Sequence, residues 1–319
     1  MSNQTKAYIA LIFICIVWGT TYLAIRMAVL HYPAFLLAAI RQLVSGAIIM
    51  AIGLMMSRKT DWSRSNLMHQ AMIGFLLITM GNGLVTWGEK YVPSGVAALI
   101  CSLMPIIAVL TNLVLSRRDK PNVFIVGGMI IGFLGVGLIF KDDVSDITNS
   151  AYLLGIVATF VATSSWAIGS VLNKKGTSKI NPVFNSGLQL GFGGLFLLAG
   201  SPLIDDYSSM NLFHPEVIWP LVYLIIFGSV LAYTAYMFTL KVLPVGIVTM
   251  YAYVNPLVAV ILGYLVLNEP LTWFTALSFI SIMAGVTLVN YGYRKQHKEK
   301  DQVDFGNNAI NALPNTKSS

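Results

Sequence analysis

The feature that most limits the fold is a succession of apolar stretches, each about long enough to cross a bilayer. A helix needs about 20 residues to span roughly 30 Å of hydrocarbon. Ten such stretches follow one another, near residues 7–30, 33–56, 69–88, 93–115, 121–140, 151–172, 181–204, 216–238, 245–267 and 271–292. With no water to satisfy the backbone inside a bilayer, these stretches are expected to be helices. Composition argues against a soluble protein with an apolar core: only 10% of the 319 residues are charged, against about 25% in an ordinary soluble domain. The expected fold is therefore all-α, a polytopic membrane protein with ten transmembrane helices. Pro33, Pro93, Pro121, Pro182, Pro244 and Pro270 stand at or near span starts, where proline forfeits only an N–H that lacks a helical partner. The first stretch is too long for a signal-peptide core and is followed at once by another, so no cleavable leader is expected. The polar chain after Tyr293 is expected to lose order within a few residues.

The net charge of +7 does not read as a nucleic-acid surface, because the basic residues lie in short connections between apolar spans. Of the twenty lysines and arginines, sixteen fall on one side of the expected topology: Lys6, the even-to-odd connections and the C-terminal tail. Three, Arg26, Lys90 and Lys141, fall on the other, and Arg41 lies within a span. The positive-inside rule then puts both termini in the cytoplasm, in a multi-pass protein of the bacterial inner membrane. Membrane lipid is the expected surrounding partner, and nucleic acid is not expected. Cys15 and Cys101 both fall inside apolar spans and read as small core residues without disulfide or metal spacing.

Self-comparison adds an architecture. "KYVPSGVAALICSLMP" (90–105) aligns without a gap on "KVLPVGIVTMYAYVNP" (241–256), at an offset of 151. Trp18 falls opposite Trp166, Pro33 opposite Pro182, and Gly135 opposite Gly285. Each repeat contains five spans, an odd number, so the second enters the membrane from the opposite side. The expected organisation is two inverted five-helix repeats, 7–140 and 151–292, followed by a polar cytoplasmic tail, 293–319. Inverted repeats suit alternating access around a central site.

At this point the chain resembles the ten-helix drug/metabolite transporter superfamily, in its EamA-type bacterial branch, over 7–292. The resemblance rests on "VWGTTYLAIR" (17–26), "AAIRQLVSGA" (38–47), "YVPSGVAALICSLMPIIAVL" (91–110) and "LPVGIVTMYAYVNPLVAVILGYLVLNEPLTW" (243–273). The acid after the ninth span, Glu269, usually has a counterpart after the fourth, but here the aligned residue is Arg118. The resemblance implies a secondary transporter that exports amino acids, related small amphipathic metabolites or drugs. A non-transporting scaffold or sensor, and a lipid-handling membrane protein, are the alternatives.

Several side chains could carry transport. Arg41 lies about 12 Å into its span, at 1.5 Å of rise per residue past Pro33. It reads either as an anion-contacting or gating group, or as an organiser that bonds carbonyls in the bundle. Arg26 and Lys174 sit at span ends, where their stems can reach water. Glu89 and Glu269 could couple flux to a proton gradient at a gate; alternatively they are helix-end carboxylates that pair with a neighbour such as Lys90. Polar and aromatic groups inside the spans give the candidate substrate cavity: Trp18, Thr21, Tyr22, Asn82, Thr86, Trp87, Trp166, Tyr233, Tyr236, Tyr251, Tyr253 and Asn255. Their competing role is interhelical hydrogen bonding. The cavity is expected between spans 1, 3, 4, 6, 8 and 9.

Pro105 and Pro256, symmetry mates in the middle of spans 4 and 9, are expected hinges that free the carbonyls of Cys101 and Ala252. The Gly128–Gly132 spacing is a packing signal that could also support a homodimer. No catalytic or phosphate-binding motif appears, and His31, His69, His214 and His297 are assigned to loops or tail. The reading is thus of a protein that is not an enzyme, has no cofactor or metal, and takes a small-molecule substrate.

Overall fold

The computed structural model describes residues 2–57, 59–116, 121–139, 150–174, 181–208, 210–211, 214–243 and 251–311. Pro244, the loop charges at 117–120, 140–149 and 175–180, and the side chains of Lys174, Lys241, Tyr253 and His297 lie outside that description. Eight helices are long and apolar enough to cross a bilayer, and two shorter apolar helices complete a set of ten among the described residues. We number them as spans 1 to 10: Asn3–Val29, Ala34–Met56, Arg64–Gly88, Ser94–Ser116, Val123–Ile139, Ser150–Lys174, Pro182–Ile204, Pro215–Val242, Tyr251–Leu267 and Trp273–Asn311. The end of the bundle where span 1 begins is here the proximal face, and the other the distal face.

Three differences from the sequence reading have physical causes. Span 3 begins at Arg64, before its apolar run, because Ser63 Oγ caps it by accepting from Asn66 N at 3.2 Å. His69 therefore lies in a helix and not in a loop. Span 10 is one helix to Asn311, well past the end at 292 that hydropathy sets. Its lysines, glutamate and glutamines are good helix formers and carry the span outward.

Spans 3 and 8 are not simple α-helices. Each contains a π-helical segment, Phe75–Gly83 and Leu224–Leu231, at matching places in the two halves. Span 4 is interrupted at Ser102 and Leu103, between Ser94–Cys101 and Met104–Ser116. Span 9 runs through Pro256 as one helix and ends where Asn268 adopts φ 54°, the left-handed conformation that asparagine tolerates at a helix end.

Packing follows the inversion. Spans 2 and 7 lie antiparallel. Asp205, after span 7, accepts from Phe35 N (3.1 Å) and Leu36 N (2.9 Å), while Asn181, before span 7, donates to Gly53 O (2.9 Å) and Ser57 O (3.0 Å). Spans 5 and 10 do the same: Asn122 donates to Gly292 O (2.8 Å) and Ser278 to Gly135 O (2.6 Å). Midway between, a methyl group on Gly128 would stand 2.6 Å from Gly285 O, and one on Gly285 2.6 Å from Gly128 O. Only glycine permits that reciprocal approach. The Gly128–Gly132 face, offered above as a dimer surface, is thus covered within the chain by span 10 and by Leu103 and Ile106 of span 4.

Candidate functional site

The remaining helices enclose a cavity around the middle of the bundle. Two symmetry-related contacts build its floor and walls. Trp18 of span 1 donates from Nε1 to Gly228 O (3.1 Å), in the π segment of span 8. Trp166 of span 6 lies against Gly81, in the π segment of span 3, where a methyl group would stand 2.9 Å from its ring. A π turn adds a residue to the helix without ending it, and here it presents a glycine to each tryptophan.

Trp18, Thr21, Tyr22, Arg41, Asn82, Trp166, Tyr233, Tyr251, Asn255 and Pro256 line the cavity. Its volume is about 160 Å³, below the roughly 300–1,000 Å³ of sites that hold drug-sized ligands. Tyr251 meets the Trp18 ring edge-on, with centroids 4.9 Å apart. The amide of Asn255 faces two carbonyls, and its NH2 donates to Cys15 O (2.8 Å) and Tyr251 O (3.0 Å).

Other candidates lie elsewhere. Thr86 is buried one turn beyond Asn82 and bonds back to Asn82 O (2.8 Å), and Trp87 turns away to pack edge-on to Tyr91 at 4.9 Å. Tyr236 forms a second layer behind Trp18, with ring centroids 5.3 Å apart. Pro105 is buried and does not reach the wall. The sequence reading also missed contributors: Gln42 and Leu190 bring spans 2 and 7 into the lining, and Cys101, Ser102, Thr163 and Ser229 add small polar groups. Gln42 was visible as an amide beside Arg41 in an apolar span. Cys101 packs as readily in a core as in a wall, so its type carried no signal.

Arg41 is the charged group of the lining. It is buried, its Nε donates to Ser229 Oγ at 3.0 Å, and its Nη1 has no hydrogen-bond partner among the described residues. Arg41 is thus anchored to span 8 by Nε, on a hydroxyl and not on the carbonyls expected of an organiser, with Nη1 unmatched among the described residues. A buried donor left unmatched costs about 1–3 kcal/mol, which a ligand oxygen would recover.

Glu89 and Glu269 take different places near the distal face. Glu269 caps span 4: its carboxylate accepts from Ser94 N and Ser94 Oγ, both at 2.8 Å, and from Gly95 N at 3.3 Å. Glu89 is wholly buried, and neither carboxylate oxygen has a hydrogen-bond partner among the described residues. The pairing of Glu89 with Lys90 is not formed; Lys90 Nζ lies over the Tyr91 ring, 5.9 Å from its centroid. Arg26, read above as a cation reaching water, instead turns inward and donates to Glu89 O. Glu89 stands behind the wall formed by Tyr22 and Cys101, with Arg26, Arg41 and Glu269 as its charged neighbours.

Ten apolar helices in two inverted halves, packed around a polar and aromatic cavity with no water-soluble domain among the described residues, define a polytopic membrane transporter architecture. The chain matches the EamA-like transporter family over residues 5–141 and 153–291, and it belongs to that family. It is 30% identical over 286 residues to a protein of Escherichia coli K12 named as an uncharacterized inner membrane transporter, YedA, covering 89% of this chain and 90% of that one. It is 26% identical to the uncharacterized transporter YvbV of Bacillus subtilis 168, covering 90% and 92%. A crystal structure titled only as that of a protein shares the fold, with a TM-score of 0.62 at 19% identity over 92% of this chain and 99% of the other. The protein is an integral, multi-pass membrane transporter.

Proposed function

We propose that this transporter is a secondary exporter of amino acids and related small amphipathic metabolites or drugs, working by alternating access between its two halves. The observation that carries the reading is Arg41, a buried guanidinium with a spare donor, set among Trp18, Trp166 and Tyr251 in a cavity that both halves enclose. A substrate carboxylate would take Arg41 Nη1 in a charge-assisted bond. An apolar or aromatic side chain would lie against the rings, and Asn82, Thr163 and Ser229 offer partners for an amino group or hydroxyl.

The close antiparallel pairs, spans 2 with 7 and 5 with 10, serve as the fixed axis in this reading. The interruption in span 4 and the two π segments are where the backbone yields. The proximal face, with its excess of lysine and arginine in the sequence, is the cytoplasmic one. The membrane is the bacterial inner membrane, as the name of YedA states for that relative.

The test is counterflow in proteoliposomes loaded with a panel of amino acids and amphipathic drugs. Wild type should exchange at least one carboxylate-bearing aromatic or apolar solute. Arg41→Gln should lower that exchange at least about tenfold, the equivalent of roughly 1.4 kcal/mol, while protein yield and monodispersity persist. Exchange of no solute in the panel would overturn the transport reading. Exchange that is indifferent to Arg41→Gln would remove the carboxylate from it.

A further inference from the structure

Outside the cavity, at the distal face, three metal-ligating side chains from the two halves converge. His31 lies in the turn after span 1, His214 is the residue that caps span 8, and Glu216 is in the first turn of span 8. Their donor atoms all lie within 4.8 Å of one another. His31 Nε2 is 2.7 Å from Glu216 Oε2, and the two imidazoles are stacked with centroids 4.4 Å apart at 21°. Beneath them the backbone is held by a packed cluster that includes Val29 and Tyr32 from the first half and Val217 and Leu221 from the second.

From this arrangement we infer that His31, His214 and Glu216 form a binding site for a zinc-class transition-metal ion, one that links the two halves at the distal face. A surface ion pair needs only two of the three groups and contributes little. The third group, His214, stacks on His31 and caps span 8, and it keeps a donor atom within 4.8 Å of both other groups. Two imidazole nitrogens and one carboxylate oxygen, with a fourth position open to water, are a ligand set that zinc accepts. Calcium and magnesium prefer all-oxygen shells.

Donors around a tetrahedral ion at about 2.1 Å stand roughly 3.4 Å apart, so side-chain rotations of about an ångström complete the shell. The single bond this disturbs in the His214 ring is a long one, accepted from Glu216 N at 3.3 Å. His31 and Glu216 side chains are 38% and 52% exposed, so an ion reaches them from the aqueous phase.

The experiment uses the full chain, purified in detergent and freed of metal with a chelator, and titrated with Co2+ and then Zn2+. A saturable Co2+ absorption band in the visible, at one ion per chain and displaced by Zn2+ but not by Mg2+ or Ca2+, is expected. His31→Ala and His214→Ala should each weaken binding at least tenfold, and Glu216→Gln should do the same without changing the shape of the side chain. Gel filtration and the unfolding midpoint without metal report that each variant is folded. No saturable band would overturn the proposal, and the cluster would then be only a stacked ion pair. Binding that persists unchanged in His31→Ala and His214→Ala would overturn it as well, by placing the ion elsewhere.

Discussion

Spans 4 and 9 share their lysine, glycine and two prolines at identical spacing, yet their backbones differ at the second proline. Before Pro105 the helix is interrupted: Ser102 N bonds to both Ala98 O and Leu99 O, and Leu103 N tightens onto Ile100 O. Before Pro256 the helix is continuous. One aligned position accounts for much of the contrast. Asn255 stands where the first half has Met104, and its amide ties Tyr251 O to Cys15 O of span 1. The proline removes a backbone donor in both halves, opposite Cys101 O and Ala252 O, and only the second half has a side-chain amide beside it, donating to Tyr251 O and Cys15 O. The two spans also meet unequally at the distal face, where Glu269 at the end of span 9 caps the start of span 4. The aligned Arg118 cannot return that contact, since a guanidinium has no acceptor for helix N–H groups. Sequence symmetry therefore sets the common path of the two helices, and a few unmatched side chains make one stiff and the other jointed.

The contrast can be tested by removing or transferring those side chains. The largest effect is expected from Glu269→Ala, which deprives the start of span 4 of a charged acceptor. It should destabilise the protein by about 2–3 kcal/mol, read as a lower unfolding midpoint in detergent, with Glu269→Gln falling between it and wild type. An unchanged midpoint would mean the cap contributes nothing. Asn255→Leu should come next, at about 1–2 kcal/mol, because the amide bonds to Tyr251 O and Cys15 O are lost. Its signature is faster amide exchange confined to spans 1 and 9.

Pro105→Ala returns an N–H to span 4 and should slow amide exchange around 101–106. Pro256→Ala should change exchange in span 9 far less, and equal responses would count against the difference between the spans. The smallest effect on exchange around 101–106 is expected from Met104→Asn, although the partly buried amide it introduces against the core should cost about 1–3 kcal/mol. There a transferred amide does not find the carbonyl pair that Asn255 uses.

Much of the fold could be read from hydropathy, because length and composition alone decide whether a helix can lie in hydrocarbon. The ends were less legible. Arg64 to His69 looked like loop since they are polar, and what makes them helical is the Ser63 cap and contact with span 7, including the Asn66 amide on Asn185 Oδ1 at 3.2 Å. The π segments left no sequence trace beyond a nearby glycine, since an extra residue in a helical turn changes register and not composition. Within the site, residue type found the aromatic wall but could not find its rotation. Trp87 and Trp166 are equally amphipathic, and only the packing of their helices turns one toward Tyr91 and the other into the cavity. Arg41 stood out because charge in a span is rare, and its Nη1, unmatched among the described residues, depends on where Ser229 lies, a separation of 188 residues.

The contact of Gly128 with Gly285 has its image in that of Gly135 with Ser278, since Gly135 aligns with Gly285 and Gly128 with Ser278, and this carries a consequence for ancestry. A surface that meets its own image across a two-fold must be complementary to itself, as in any symmetric dimer. Spans 5 and 10 satisfy that condition at these two contacts within one polypeptide. A single five-helix unit with such surfaces, inserted in both orientations, would be able to recognise a copy of itself. Two such units joined in one chain can each change alone, so that an asparagine can stand opposite a methionine.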